Sequence, residues 1–207
     1  MQALALTFST GWASGINAYL VVLVLGLADR VGSFSQIPDV LGTWPVLAAA
    51  GAFYALEFVT DKIPYVDSTW DAISTVIRPT IGAVIGVLIA GQADSLSEAV
   101  GGVTGGTTAL LAHLSKASSR LAINTSPEPL SNITASLTED VAVLGVATLA
   151  LHHPRIAASI AAVLLIVGLV AAYLLARVVR AGWRRWKAKP GAQPLFAWQR
   201  PPSSPTP

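Results

Sequence analysis

The chain has 207 residues, 53% of them hydrophobic and only 12% charged, roughly half the charged share of a soluble domain. Its formal net charge of +2 gives no basic excess of the kind that marks nucleic-acid binding. With no cysteine it has neither a disulfide framework nor a thiolate metal site. A mean hydropathy of +0.62 and long apolar runs indicate an all-α fold, a polytopic membrane bundle of about six transmembrane helices.

The first predicted helix runs from about Phe8 to Ala28 and holds Asn17 in its middle. The residues before it lack a basic n-region, so they do not read as a cleaved signal peptide. A loop with Asp29, Arg30, Pro38 and Gly42 leads to a second helix, about Trp44 to Thr60. The turn "DKIPYVD" opens a third, about Ser68 to Ala90, and "GQADSLSE" separates it from a fourth, about Ala99 to Ala122. "NTSPEPLSN" leads into the fifth, about Ile133 to Leu151, and "HHPR" into the sixth. That last helix is the clearest: Ile156 to Val179 is apolar apart from Arg177 and exceeds the roughly 20 residues that cross a hydrocarbon core. Helices two, four and five are marginal by hydropathy because they carry charges.

The basic residues Arg177, Arg180, Arg184, Arg185, Lys187 and Lys189 follow the sixth helix and assign the C-terminus to the cytoplasm of an inner (plasma) membrane protein. Six crossings then place the N-terminus inside as well. The inner loops hold Lys62, Lys116 and Arg120, and the outer ones only Arg30 and Arg155, in agreement with that bias. "RAGWRRWKAK" mixes tryptophan with basic residues and suits anionic lipid at the interface. Residues 1–188 form the helical domain in this reading. Residues 189–207, rich in proline and serine, are expected to be a disordered tail.

Pro64 and Pro129 are 65 residues apart, and the same offset pairs Asp67 with Asn132, Asp71 with Ser136, and Ser74 with Glu139. Helices two–three and four–five thus read as two related hairpins. Positions at i, i+4 and i+7 share a helix face. Asp67, Asp71, Ser74 and Arg78 therefore line one stripe, and Asn132, Ser136, Glu139 and Asp140 another. "STWD" has the spacing of a capping box, and Ser131 or Asn132 is placed to cap the fifth helix. Glu57 and Asp61 are four apart on helix two; His113, Lys116 and Arg120 share a face of helix four. Each buried charge costs about 2.5–3.5 kcal/mol on insertion scales, so these faces point inward and pair. Asp71, Glu139 or Asp140 is the expected partner of Arg78, and Pro79 is expected to kink helix three. Gly101 with Gly105, Gly102 with Gly106, and Gly82 with Gly86 are spaced for close helix packing, or for an unwound segment along a substrate path.

"LEFVTDKIPYVDSTWDAISTVIRP" (56–79) and "HLSKASSRLAINTSPEPLSNITASLTED" (113–140) resemble the two hallmarks of a bacterial membrane family, the domain-of-unknown-function family numbered 4126. The resemblance covers roughly residues 10 to 175. It implies that Glu57, Asp61, Lys62, Asp67, Asp71, Arg78, His113, Lys116, Arg120, Glu128, Asn132, Glu139 and Asp140 form one system, and it implies no activity.

Arg78, His113, Lys116, Arg120 and Asn132 gather near the starts of helices three and five, where an anion is favoured. They are the expected ligand-binding set. Glu57, Asp61, Asp67, Asp71, Glu139 and Asp140 are expected to balance charge or carry coupling protons. No metal is expected, because His113 is alone on its helix and His152 and His153 lie in a turn on the other side. No cofactor motif or G-x-S-x-G elbow is present. The leading expectation is a small transporter or permeation module, with a polar cavity facing the cytoplasm, for a small anion or anionic amphiphile. The alternative is a scaffold that recruits a partner or lipid, its charges forming a structural salt-bridge network; a membrane enzyme comes third. Expected partners are membrane lipids, anionic lipid at the basic C-terminal segment, a small anionic ligand and, as in many small bundles, further copies of the chain.

Overall fold

The computed structural model describes residues 2–32, 34–91, 95–124 and 129–187. It contains six α-helices: α1 (Gln2–Gly32), α2 (Trp44–Thr60), α3 (Val66–Ala90), α4 (Ser95–Ile123), α5 (Pro129–His152) and α6 (Pro154–Lys187). A 3₁₀ turn, Asp39–Gly42, precedes α2, and no strand occurs among the described residues. Four helices are long and apolar enough to cross a membrane: α1, α3, and the stretches Leu130–His152 and Pro154–Arg184. α2 is a shorter apolar helix. The length of α4 is ample, but small and charged residues dilute its apolar character.

The chain forms two compact units, Met1–Ala172 and Tyr173–Pro207. In the second, the described residues are the last turns of α6, where Arg177 lies over the Tyr173 ring at 5.8 Å. The expected tail, 189–207, lies outside the described residues.

α1 is the axis of the first unit. It packs against α2, α3, α4 and α5 and is buried without interruption from Ser9 to Val22. A helix apolar on all sides is stable only when enclosed on all sides, and α1 meets that condition. It is also broken. Asn17 has extended backbone angles (φ −149°, ψ 95°), and there the chain turns back on itself. Gln2 lines one cavity with His152 and His153 and another with Ser35 and Gln36. The Phe34 ring meets the His152 ring edge-on at 5.3 Å. Both ends of α1 therefore sit at the His152 end of the bundle.

The contacts along each half agree with this reversal. On the way in, Thr7 faces Gly86 and Gly15 faces Ala109 and Ala112. On the way out, Tyr19 stacks on Phe53 at 5.1 Å, Gly26 abuts Leu41 and Leu47, and Arg30 reaches Gly42 O at 2.9 Å and the Trp44 ring at 4.4 Å. Each half has roughly 15 residues and is about 22 Å long. The first helix, expected as one continuous element, is thus two half-helices joined at Asn17. Gln2 shares the end of the bundle with His152, opposite the Asp61 turn.

α3 and α4 form the most extensive helix pair, and glycine explains it. A Cβ on Gly86 would strike the Gly101 carbonyl, and one on Gly105 the Gly82 carbonyl. One on Gly11 would come within 2.8 Å of Gly105 O. Three backbones thus meet where only glycine fits. α4 runs helically through this segment, so the glycines serve packing rather than an unwound path. α6 lies at the edge of the unit, burying Ala157, Ala161 and Leu165, one face at four-residue spacing, while Val163, Ile166, Val167 and Val170 are exposed.

Helix starts also differ from expectation. α3 begins at Val66, its N-cap is Tyr65 at φ 68°, and no side chain caps it. Asp71 is instead engaged by Arg78 at 3.1 Å, which removes it from the expected capping box. α5 begins at Pro129, ahead of Ser131 and Asn132, because proline tolerates the first helical position. α3 continues through Pro79.

Candidate functional site

The inward stripes form one connected cluster at the fold-back of α1. Asp67, Asp71, Ser74 and Arg78 are all buried on α3, and Asn132 and Ser136, at the matching positions of α5, are buried too. His113, Lys116 and Arg120 are buried on α4, as are Glu57 and Asp61 from α2 and its turn. Glu139 is partly exposed, its side chain at 19%, and Asp140 is half-buried.

Arg78 is the deepest cation. Its Nη2 donates to Glu57 Oε1 at 2.6 Å, and its Nη1 lies 3.1 Å from Asp71 Oδ1. Nη1 also contacts His113 Nδ1 at 2.8 Å. A guanidinium has no acceptor, so Nδ1 is the acceptor and the imidazole is neutral there. The proton then sits on Nε2, which lies 3.0 Å from Thr75 Oγ1. The Thr75 hydroxyl in turn donates to Asp71 O at 3.0 Å.

Lys116 is the hub. Its Nζ reaches Asp61 Oδ2 at 2.6 Å, Glu139 Oε2 at 3.4 Å and Glu57 Oε1 at 3.7 Å. It also donates to Ile16 O at 3.1 Å, while Arg78 Nη1 donates to Gly15 O at 3.4 Å. These two carbonyls end the first half of α1. The break at Asn17 deprives them of helical partners and leaves the negative end of a half-helix, which the two cations satisfy. Asn17 serves the other half. Its Oδ1 accepts from Leu20 N at 3.0 Å, the geometry of an N-cap, and its Nδ2 donates to Asp140 Oδ1 at 3.0 Å.

Arg120 closes the cluster toward the Asp61 turn. It donates to Glu139 Oε2 at 2.6 Å and to Asp61 O at 2.9 Å, and lies 3.9 Å from Asp67 Oδ2. Asn124 donates to Asp67 Oδ1 and Ser68 Oγ, both at 2.8 Å. Asn132 Nδ2 donates to Asn124 Oδ1 at 3.1 Å. Asp67 and Asn132, matched by the 65-residue offset, are thus bridged by one side chain. Lys62 sits at the rim, over the Phe58 ring at 3.0 Å and 3.3 Å from Ser136 Oγ.

All of the sequence-expected site residues enter this cluster. Glu128 lies outside the described residues. Sequence reading had noted Asn17 inside the first helix without giving it a role, had not assigned Thr75 or Asn124 to the site, and had not named Glu57 as the partner of Arg78. For Asn124 the available signal was an amide just beyond a basic helical stripe.

Two features set the chemistry. Six carboxylates (Glu57, Asp61, Asp67, Asp71, Glu139 and Asp140) surround three buried cations, with Lys62 at the rim. Acids outnumber bases even with Lys62 counted. Carboxylate capacity is also left over: Asp71 Oδ2, Glu57 Oε2, Asp61 Oδ1 and Asp67 Oδ2 are buried without a hydrogen-bond donor among the described residues. No group of three His, Asp or Glu side chains among those residues is placed to hold a metal ion.

An all-α bundle with four helices apolar enough to cross a membrane, folded around a broken helix whose tip meets buried charges, belongs to the class of polytopic helical membrane architectures. Within that class, the chain belongs to the family described as domain of unknown function DUF4126, whose model matches residues 4–174. No curated protein and no solved structure matches it.

Proposed function

We propose that this chain is a plasma-membrane permeation module in which the carboxylate cluster takes up and passes protons. The observation that carries the reading is the acid excess. A network that served only to set the bundle's shape would balance its charges, because an uncompensated buried carboxylate costs several kcal/mol. Here six acids share four cations, and a carboxylate without a cation of its own is the group equipped to take up and release a proton.

The fold-back of α1 supports the same reading. Non-helical backbone at membrane depth is tolerated where protein or a water-filled path surrounds it, and broken helices with paired ends are a recurring device of transport proteins. The small anion expected from sequence is less well supported, since Arg78, Lys116 and Arg120 each already hold a carboxylate at 2.6–3.1 Å. The Lys/Arg bias places the Asp61 turn and the basic C-terminal segment in the cytoplasm. With α1 folded back, the N-terminus then lies on the opposite side.

The test is proton flux into proteoliposomes loaded with a pH-sensitive dye, driven by an inside-negative potassium diffusion potential. Acidification should exceed that of protein-free vesicles, and Glu57→Gln or Asp71→Asn should suppress it. Infrared spectra at neutral pH should carry the band of neutral carboxyl groups. Wild-type flux equal to that of empty vesicles sinks the reading.

A further inference from the structure

The ion cluster occupies the half of the bundle nearer the Asp61 turn. A proton entering it must still reach the His152 end, and the first half of α1 spans that gap. Thr7, Thr10 and Ser14 lie at i, i+3 and i+7 on this half-helix, and so on one face. All three are at 0% exposure. Ser14 adjoins Gly15, whose carbonyl accepts from Arg78 at 3.4 Å. At the other end, a Cβ on Gly86 would lie 3.0 Å from Thr7 Cγ2, which places Thr7 on α3 one turn short of Ile89 and Ala90. Those two residues line a cavity of about 290 Å³ with Gln2, Leu6 and Gln36.

Serine and threonine in helices ordinarily spend their hydroxyl on the carbonyl one turn back. Ser9 and Thr10 do so, donating to Ala5 O at 2.9 Å and Leu6 O at 2.8 Å. Thr7 Oγ1 and Ser14 Oγ do not: both are buried with no hydrogen-bond partner among the described residues. Two fully buried hydroxyls with unspent capacity, one at each end of a polar row, are costly unless something polar meets them.

We propose that Thr7, Thr10 and Ser14 line a second site, a narrow proton path joining the cavity at the His152 end to the Arg78–His113 end of the ion cluster. The row covers about 10 Å of helix, too far for direct transfer between hydroxyls, so single water molecules bridge them. Each hydroxyl accepts an incoming proton on an oxygen lone pair and releases its own along the row, so no net charge or atom stays behind. The proton arrives at a carboxylate of the cluster, where Asp71 Oδ2 has no donor among the described residues. The path rests on the proton-carrying reading and adds where the proton crosses the half of the bundle that the charges do not reach.

The experiment uses the full chain in the same proteoliposomes. Thr7→Val and Ser14→Ala remove a hydroxyl with little change of shape, whereas Thr7→Ser keeps it. Flux should fall by about ten-fold in each of the first two, the effect of one lost hydrogen-bonding step, and persist in Thr7→Ser. Wild-type flux that Glu57→Gln abolishes but Thr7→Val and Ser14→Ala leave unchanged overturns the path and spares the cluster's role. Absence of wild-type flux overturns both. Should Thr7→Val fail to fold, Thr7→Cys supplies the second arm, because the chain has no other cysteine. A small thiol reagent added from the His152 side should then block flux, and unchanged flux after complete modification refutes the path.

Discussion

Removing Arg78 tests whether the buried cluster is organised as the distances indicate. Arg78 is fully buried, pairs with Glu57 at 2.6 Å and Asp71 at 3.1 Å, and supplies the donor to His113 Nδ1. Arg78→Met keeps much of the volume but strands two carboxylates and an imidazole nitrogen. Breaking a buried ion pair from one side costs about 3–5 kcal/mol, because the remaining charge is left uncompensated. Glu57→Gln removes that charge while keeping an acceptor oxygen, and should cost about 1–3 kcal/mol alone. The double variant should then be more stable than the sum of the single losses allows, by about 2 kcal/mol, within the range of directly contacting pairs. Arg78→Lys should fall between wild type and Arg78→Met, since an ammonium does not fork between two carboxylates. The assay is equilibrium unfolding in mixed micelles followed by the helical circular dichroism signal. A loss under about 1 kcal/mol for Arg78→Met, or strictly additive losses, would falsify the placement of Glu57 against Arg78.

Two further outcomes follow from the packing. Gly105→Ala should destabilise by about 1–3 kcal/mol through overpacking against α3, while Gly145→Ala, with nothing within 4 Å, should be neutral or gain up to about 1 kcal/mol; equal losses in the same unfolding assay would refute the close contact of α3 and α4. For the fold-back of α1, Gln2→Cys and His153→Cys should react with an impermeant maleimide added to one face of the membrane and Ile63→Cys only from the other; reaction of Gln2→Cys from the Ile63 face would show a straight first helix.

The stripes were legible because a helical face follows from spacing alone. Asp67, Asp71, Ser74 and Arg78 recur on one side of α3 whatever surrounds them, and burial cost dictates that this side turns inward. Their partners were not legible in the same way. Glu57 and Arg78 are 21 positions apart on different helices, and periodicity assigns faces without saying which faces meet. The capping box failed for a related reason: Asp71 has the right spacing to cap, but a buried guanidinium competes for it. The reversal at Asn17 was the larger omission. A helix of 31 residues is well beyond the roughly 20 that a crossing requires, and one asparagine near the centre of a mostly apolar sequence is a weak mark of a turn.

The break and the charges explain each other. A helix interrupted in an apolar interior exposes carbonyls at one end and N–H groups at the other, and each needs a partner. Asn17 provides for the N–H side within its own chain through Leu20 N, so that half requires nothing from its surroundings. The carbonyl side has no such local solution, and Lys116 and Arg78 reach Ile16 O and Gly15 O from α4 and α3. Those cations enter a buried site only with counter-ions, which Glu57, Asp61 and Asp71 provide. If only the carbonyls needed satisfying, neutral donors such as asparagine would serve, without six acids. The carbonyl requirement accounts for Lys116 and Arg78 and one acid for each; the remaining acids exceed what those two cations require, and the proton-carrying role proposed above draws on that remainder.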